Sequence, residues 1–312
     1  SKLIWLRNPN YREVFYPSEG EPGDKEKGLL KDAGKRLPFA DKVVYTIYVE
    51  SQPLWLNFLA GKVDASGIPK DNFAAAITPT KEVAGELAKK GIQLIRGSSL
   101  DVTHESFNMR DPIVGKNKLL RQAISLALNP VPLMEKFYNN RAIAAQTPIP
   151  PGLAGYDPNF KNPYRQYNLE KAKELIAKAG YPNGKGLPVL EYASTSSTTS
   201  RQMSEFLSRS LSKLGIRMKT STYTWPQFMK AVRNGNGQMW GYAWLGDYPD
   251  AENFLQLFYS KNASPGPNDS AYSNPEFDRL YERSLKLSDS PERTALYRKM
   301  SAIVVEDCPW VF

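Results

Sequence analysis

The chain lacks the residues from which most catalytic and metal sites are built. His104 is the only histidine and Cys308 the only cysteine among 312 residues. They provide no Ser-His-Asp or Cys-His arrangement and no cluster of soft metal ligands. A single cysteine also excludes a disulfide bond within the chain. We therefore predict a protein that is not an enzyme and that folds without a metal or an organic cofactor.

Membrane-spanning and phosphate-binding segments are also missing. No run approaches the roughly 18 consecutive apolar residues of a membrane helix. Gly235-Asn236-Gly237 lacks the lysine and the third glycine of phosphate-binding loops, so a turn is predicted there. The first nine residues lack the pattern of a signal peptide, from which we expect that a signal was removed or that the start is missing.

The composition is that of an ordinary soluble globular protein. The chain carries 41 Lys and Arg and 32 Asp and Glu, a net charge of +9, and 41% of its residues are hydrophobic. Because the basic residues are interleaved with acidic ones, the excess of charge does not predict a nucleic-acid partner. A chain of this length usually divides into two folded units, so two lobes are expected.

The first part of the chain has the pattern of an α/β layer. β-Branched and aromatic residues predict strands at 43–49, 63–66, 92–95 and 100–108. Helices are predicted at 53–60, where Gly61 ends the run, and near 81–90. The first two strands and the helix between them are typical of a β-α-β unit.

The remainder alternates helices and strands. We predict a core-facing helix from Lys116 that ends at Pro130, and an irregular proline-rich segment at 146–167. Strands are predicted at 189–192, 218–223 and 238–244, with helices at 169–179, 199–214 and 225–232. Two last helices begin at Asn274-Pro275 and Ser290-Pro291, where a capping side chain precedes a proline.

The segment from Trp240 to Asp250 combines four aromatic rings with a carboxylate. It contains Trp240, Tyr242, Trp244, Tyr248 and Asp247, and it follows a predicted strand. In open α/β sheets, ligands bind at the carboxyl ends of the strands. Aromatic walls and one carboxylate suit a cationic or zwitterionic ligand. The alternative is structural, with the rings in the core and Asp247 capping a helix near 249–258.

Short sequences spread along the whole chain resemble the peptide and nickel branch of family 5 of the extracellular solute-binding proteins. They are RNPNY at 7–11, GKVD at 61–64, GIP at 67–69, FNMR at 107–110, LRQAISLA at 120–127, PPGL at 150–153, YNLEKA at 167–172, WLGDYPD at 244–250 and NPEFD at 274–278. Each is weak alone. Their order along the chain is that of the family.

The resemblance implies a two-lobed fold like that of the large type II periplasmic binding proteins. Residues 1–105 would form part of lobe I, residues 106–306 lobe II, and residues 307–312 the start of a return hinge strand. Asn108 would lie on the other hinge strand and is a candidate ligand contact. Asp247 would hold the amino terminus of a peptide beside the aromatic Trp244. Tyr242 and Tyr248 are further candidate contacts because they belong to the aromatic segment described above.

The resemblance also implies function and location. The protein would be the solute-binding component of an ABC importer, would deliver a peptide or another polar solute to a membrane permease, and would be periplasmic or extracytoplasmic, free or held by a lipid anchor. A sensor on the same fold, and an enzyme using Asp247 or Asp250 as a general base, are the alternatives. Part of lobe I and the C-terminal tail of the family are not in this sequence. We therefore expect a fragment that binds ligand poorly alone and associates with the N-terminal segment or with another copy.

One departure from the family concerns the ligand carboxylate. In dipeptide binders an arginine near the position of residues 192–200 pairs with it, whereas residues 193–200 of this chain are Ala, Ser and Thr only. Arg201 is the nearest substitute, although an exposed position in the first turn of a helix is the alternative. Specificity for dipeptides is therefore not expected.

Overall fold

The computed structural model describes residues 1–312, which divide into two compact units, Ser1–Pro69 and Lys70–Phe312. This division falls earlier than the predicted lobe boundary at residue 105. The assignment of residues to lobes I and II stays a prediction. None of the helices combines the length and apolar character needed to cross a bilayer.

The first unit contains two strands and one helix. Strand β1 (Lys2–Leu6) pairs antiparallel with β2 (Lys42–Thr46), and helix α1 spans Ser51–Leu59. Between the strands, Arg7 donates to the carbonyl oxygens of Pro38 and Phe39 at 2.8 and 2.9 Å and pairs with Asp41 at 3.3 Å.

The predicted β-α-β unit does not form. Residues 63–66 and 92–95 are not strands. Of the helix predicted at 81–90, only the single turn Gly85–Ala88 is helical. A strand needs a neighbour to pair its backbone N–H and C=O groups, and no neighbour lies beside either segment. The strand at β2 is real, but its partner is β1 rather than residues 63–66.

The second unit is built on a five-stranded mixed sheet. Its strands are β3 (Asp101–Phe107), β4 (Leu190–Thr195), β5 (Met218–Tyr223), β6 (Met239–Leu245) and β7 (Trp310–Val311), in the order β5-β4-β6-β3-β7. Strands β5, β4 and β6 run parallel, and β3 is antiparallel to β6 and β7. The carboxyl ends of β4 and β6 therefore lie at the same edge of the sheet.

Ten helices accompany this sheet. They are α2 (Phe73–Ala76), α3 (Gly85–Ala88), α4 (Lys118–Ala127), α5 (Pro130–Tyr138), α6 (Leu169–Lys178), α7 (Thr198–Ser212), α8 (Trp225–Arg233), α9 (Glu252–Leu255), α10 (Pro275–Ser284) and α11 (Pro291–Asp307). Pro130 was expected only to end a helix. It also begins α5, because Asn129 caps that helix by accepting from the Val131 N–H at 3.0 Å.

Helices cover much of both faces of the sheet. On one face, Phe107, Tyr192 and Met239 pack with buried residues of α4, α6 and α7. On the other face, Val102 and Trp310 pack with residues of α9, α10 and α11, and Trp240 packs with Phe228 of α8. One part of the β3–β6 face stays exposed, where Asp101 and Thr103 lie opposite Leu245 and Ala243.

Candidate functional site

The loop after β6 carries Asp247 at the exposed edge of the sheet. Asp247 is exposed, and its Oδ2 accepts from Asn253 Nδ2 at 3.2 Å. Its other carboxylate oxygen, Oδ1, accepts no hydrogen bond, and no Lys or Arg pairs with it. A carboxylate in this state retains the capacity to bind an external cation.

Asp250, rather than Asp247, accepts a hydrogen bond from the backbone at the start of α9. Its Oδ1 accepts from the Glu252 N–H at 2.9 Å and from Tyr297 Oη at 2.8 Å, and Arg293 pairs with Oδ2 at 2.6 Å. Burial favours the protonated form, but these hydrogen bonds outweigh it and lower the pKa of Asp250. Asp250 therefore anchors the loop, and helix capping does not explain Asp247.

The aromatic residues predicted to contact the ligand differ in how much of each ring is exposed to solvent. Trp244 is partly buried and donates from Nε1 to Asn253 Oδ1 at 2.8 Å. Tyr242 stacks on Trp225 with ring centroids 6.0 Å apart. Tyr248 is 45% exposed, and its hydroxyl donates to the carboxylate of Glu252. Trp244, near the end of β6, is thus joined to Asp247 in the following loop through Asn253, and Tyr248 is the next residue after Asp247. Of these two rings, Tyr248 is the exposed one.

Asn108 lies far from this loop. Strand β3 is antiparallel to β6, so Asp101 is opposite Leu245 while Phe107 is opposite Met239. Six residues of strand separate the two ends by roughly 20 Å. The Asn108 side chain donates to the carbonyls of Gly235 and Gly237 at 3.0 and 3.3 Å and accepts from the Arg110 N–H at 3.1 Å. Its part in ligand binding stays a prediction, and the structure does not bring it to Asp247.

Arg201 lies in the first turn of α7, which follows the carboxyl end of β4. It is exposed, and its guanidinium donates to Thr198 Oγ1 at 3.3 Å. Since β4 and β6 are parallel neighbours, Arg201 and Asp247 follow strands that end at the same edge. Their joint role in binding stays a prediction.

Sequence reasoning missed a small aromatic recess, with a cavity volume of about 10 Å³, on the β3–β6 face. It is lined by His104, Ser106, Trp240, Tyr242, Asp269 and Trp310, among others. His104 stacks on Trp310 with centroids 3.4 Å apart, and its Nδ1 lies 3.1 Å from Ser106 Oγ. Burial lowers the pKa of His104 to about 3, so the ring is neutral, and burial raises the pKa of Asp269 to about 6.

Glu105, on the opposite face of β3, was also missed. Its Oε2 accepts from Tyr192 Oη at 2.9 Å. This pair requires glycine at position 241, because a Cβ there would lie 2.7 Å from Tyr192 Oη and 3.3 Å from both Glu105 carboxylate oxygens. Burial raises the pKa of Glu105 to about 7, although Tyr192 and Arg165 oppose the shift.

Glu105 should make the stability of the protein depend on pH. A carboxyl group whose pKa is raised on folding stabilises the folded state fully below its unfolded value of about 4.5, and that contribution is lost as pH rises through about 7. Glutamine at position 105 does not ionise, so the Glu105→Gln variant should not lose stability in this pH range. At pH 8 its free energy of unfolding should exceed that of the parent by up to about 3 kcal/mol.

Chemical denaturation between pH 5 and pH 8 measures this effect. Glu191→Gln, on the neighbouring strand β4 and exposed, is the matched control and should keep the parent's pH profile. An unchanged pH profile in Glu105→Gln would show that the Glu105 carboxylate is hydrated rather than buried.

Comparison with known proteins identifies the family. The model of the middle region of the bacterial extracellular solute-binding proteins, family 5, matches residues 1–266. The chain is 26% identical to heme-binding protein A of Haemophilus influenzae, over 87% of this chain and 48% of that protein. It is 26% identical to the dipeptide-binding protein of Escherichia coli, over 73% of this chain and 43% of that protein.

A solved structure gives the fold. The periplasmic binding protein DppA of Helicobacter pylori, in complex with the peptide STSA, is similar over 99% of this chain and 54% of its own, with a TM-score of 0.77 and 28% identity. The chain thus spans about half the length of the relatives it matches. The match confirms the predicted α/β class, that of the two-lobed periplasmic binding proteins. The chain belongs to family 5 of the bacterial extracellular solute-binding proteins.

Proposed function

We propose that this chain is part of the solute-binding component of an ABC importer and that it binds an oligopeptide or a similar cationic solute. The observation that carries the proposal is the exposed Asp247 carboxylate at the carboxyl edge of the sheet, with one oxygen that accepts no hydrogen bond. Family membership supports the same conclusion.

Asp247 and Asp250 show why only one carboxylate of this loop is assigned to the ligand. Asp250 is held by Arg293 and Tyr297, so its charge is already compensated within the protein. Asp247 has no such cation. A ligand ammonium group would supply charge-assisted hydrogen bonds to it, which contribute about 1.5–3 kcal/mol each.

The other assigned residues have different parts. Tyr248 offers an exposed ring beside Asp247, and Trp244 forms the wall behind it. Arg201, exposed in the first turn of α7, is assigned to an anionic group of the ligand. Tyr242 is assigned to the site from its place in the aromatic segment, and Asn108 only through the family resemblance.

The proposal includes a location, a partner and the absence of catalysis. The protein acts outside the cytoplasm, free or lipid-anchored, and delivers its solute to an ABC permease. It leaves the ligand chemically unchanged. The names of its relatives include heme, dipeptide, oligopeptide and glutathione binders, so the class of solute rests on the site and not on the family alone.

Titration calorimetry with the peptide Ser-Thr-Ser-Ala and its N-acetylated form tests the proposal. The free amine should bind at least about 10-fold more tightly than the acetylated peptide, because only the free amine carries the charge that Asp247 requires. Mass spectrometry should find the peptide intact after incubation. Equal affinities would remove Asp247 from the ligand site, and a cleaved peptide would contradict the absence of catalysis. Failure of both peptides to bind would agree with the weak binding expected of this chain alone.

A further inference from the structure

Asn253 makes three hydrogen bonds to the two residues that define the candidate site. Its Oδ1 accepts from Trp244 Nε1 at 2.8 Å and from the Asp247 backbone N–H at 3.0 Å. Its Nδ2 donates to Asp247 Oδ2 at 3.2 Å. One amide group thus connects the aromatic wall, the loop backbone and the carboxylate.

Asn253 is itself held in a rigid place. It is 0% exposed within α9, where its neighbours Phe254 and Leu255 are also fully buried in the core. The preceding turn is anchored by the ion pair between Asp250 and Arg293. A buried polar side chain with all of these partners has little freedom to reorient, so it holds the loop at a fixed position relative to the core.

Only an amide of this length meets the demands of the position. Two N–H groups require an acceptor with two lone pairs, and the carboxylate requires a donor on the same planar group. Aspartate lacks the donor and would place a second negative charge beside Asp247, and alanine lacks all three groups. Glutamine is longer by one methylene group, and the fully buried position of Asn253 leaves no room for it.

We propose that Asn253 is a positioning residue of the ligand site. It does not touch the ligand, it holds the Trp244 indole and the Asp247 backbone in place, and its effect on binding acts through the direction it gives to one oxygen of Asp247. Its bond to Oδ2 leaves Oδ1 as the oxygen that receives the ligand cation. This inference rests on the proposed function for its effect on binding, while the positioning itself is a property of the free protein.

The binding test compares Asn253→Ala with Asn268→Ala. Asn268 is a matched control, since it is also 0% exposed and makes hydrogen bonds to Tyr259, Ser270 and Tyr272, none of which is assigned to the ligand. Asn253→Ala should weaken binding of Ser-Thr-Ser-Ala about 10-fold and leave the acetylated peptide unchanged. Asn268→Ala should lower the melting temperature and keep the parent's ratio of affinities.

A double variant shows whether Asn253 acts through Asp247. If it does, Asn253→Ala combined with Asp247→Asn should bind no more weakly than Asp247→Asn alone. Additive losses would show an independent role for Asn253 and overturn the proposal. An equal loss for the free and acetylated peptides would do the same, because it would reflect general loosening of the fold.

A ligand-free measurement separates this proposal from the proposed function. Hydrogen exchange followed by NMR should find the Trp244 indole proton and the Asp247 amide proton slow in the parent and in Asn268→Ala, and fast in Asn253→Ala. Fast exchange of either proton in the parent overturns the positioning role, even if Asn253→Ala does not fold. Slow exchange in a parent that binds neither peptide would support the positioning role, and the absence of binding would agree with the weak binding expected of this chain alone.

Discussion

Replacing Asp247 with asparagine should weaken binding of a free-amine peptide by about 10- to 100-fold while leaving the melting temperature within about 1 °C of the parent. The substitution keeps the shape of the side chain and removes its charge, so the ligand ammonium group loses a charge-assisted hydrogen bond worth about 1.5–3 kcal/mol. Stability should be retained because Asp247 is exposed and takes no part in an ion pair.

Titration calorimetry and thermal unfolding measure the two expectations separately. Asp157→Asn is the control, because Asp157 is another loop carboxylate and no role in binding is assigned to it. Its Oδ1 accepts from the Asn159 N–H at 2.9 Å. This control should bind as the parent does. Parent-like affinity in Asp247→Asn would return Asp247 to a structural role and would leave the site without a group assigned to the ligand cation.

Helix ends in the second unit could be predicted because the signals for them are local. Asn168, Asn274 and Ser290 were expected to begin helices, and each accepts from a backbone N–H in the first turn of α6, α10 and α11. A capping side chain and the groups it satisfies lie within three residues of each other, so the contact is visible in the sequence. The strand at 218–223 was predicted with its observed bounds for the similar reason of strong local propensity.

The first unit shows where local signals fail. Residues 63–66 have suitable side chains for a strand, yet extended structure depends on a pairing partner that propensity does not reveal. The same limit applies to strand direction. The sequence contains no sign that β3 runs antiparallel to β6, and that direction is what separates Asn108 from Asp247.

The residues of the candidate site likewise fall into those that local sequence signals predict and those that depend on contacts between distant parts of the chain. Asp247 and the aromatic rings around it could be proposed from their position after a strand, because the carboxyl edge of an α/β sheet is where ligands bind. Asn253 could not, since its importance arises only when the chain turns back and places α9 beneath the loop. Glu105 likewise depends on Tyr192, 87 positions away, and on the absence of a side chain at Gly241.

The largest loss of stability is expected at Arg121, a buried arginine of α4 that is 3% exposed. Its Nη1 donates to the carbonyl oxygens of Val114 and Gly115, both at 2.8 Å, its Nη2 to that of Asp307 at 2.6 Å, and its Nε to that of Cys308 at 3.0 Å. Burial lowers its pKa, and the nearby negative groups oppose the shift. The guanidinium therefore satisfies carbonyls at the C-terminal end of α11, where a positive charge is favoured by the helix dipole.

Arg121→Met should lower the free energy of unfolding by about 3–5 kcal/mol, because a similar volume remains while four carbonyl oxygens lose a buried donor. Differential scanning calorimetry should show a fall in melting temperature on the order of 10 °C. Arg201→Met changes the same residue type at an exposed position and should alter stability by less than about 0.5 kcal/mol. If both variants melt alike, water replaces the guanidinium at these carbonyls, and Arg121 does not hold β7 and the end of α11 against α4.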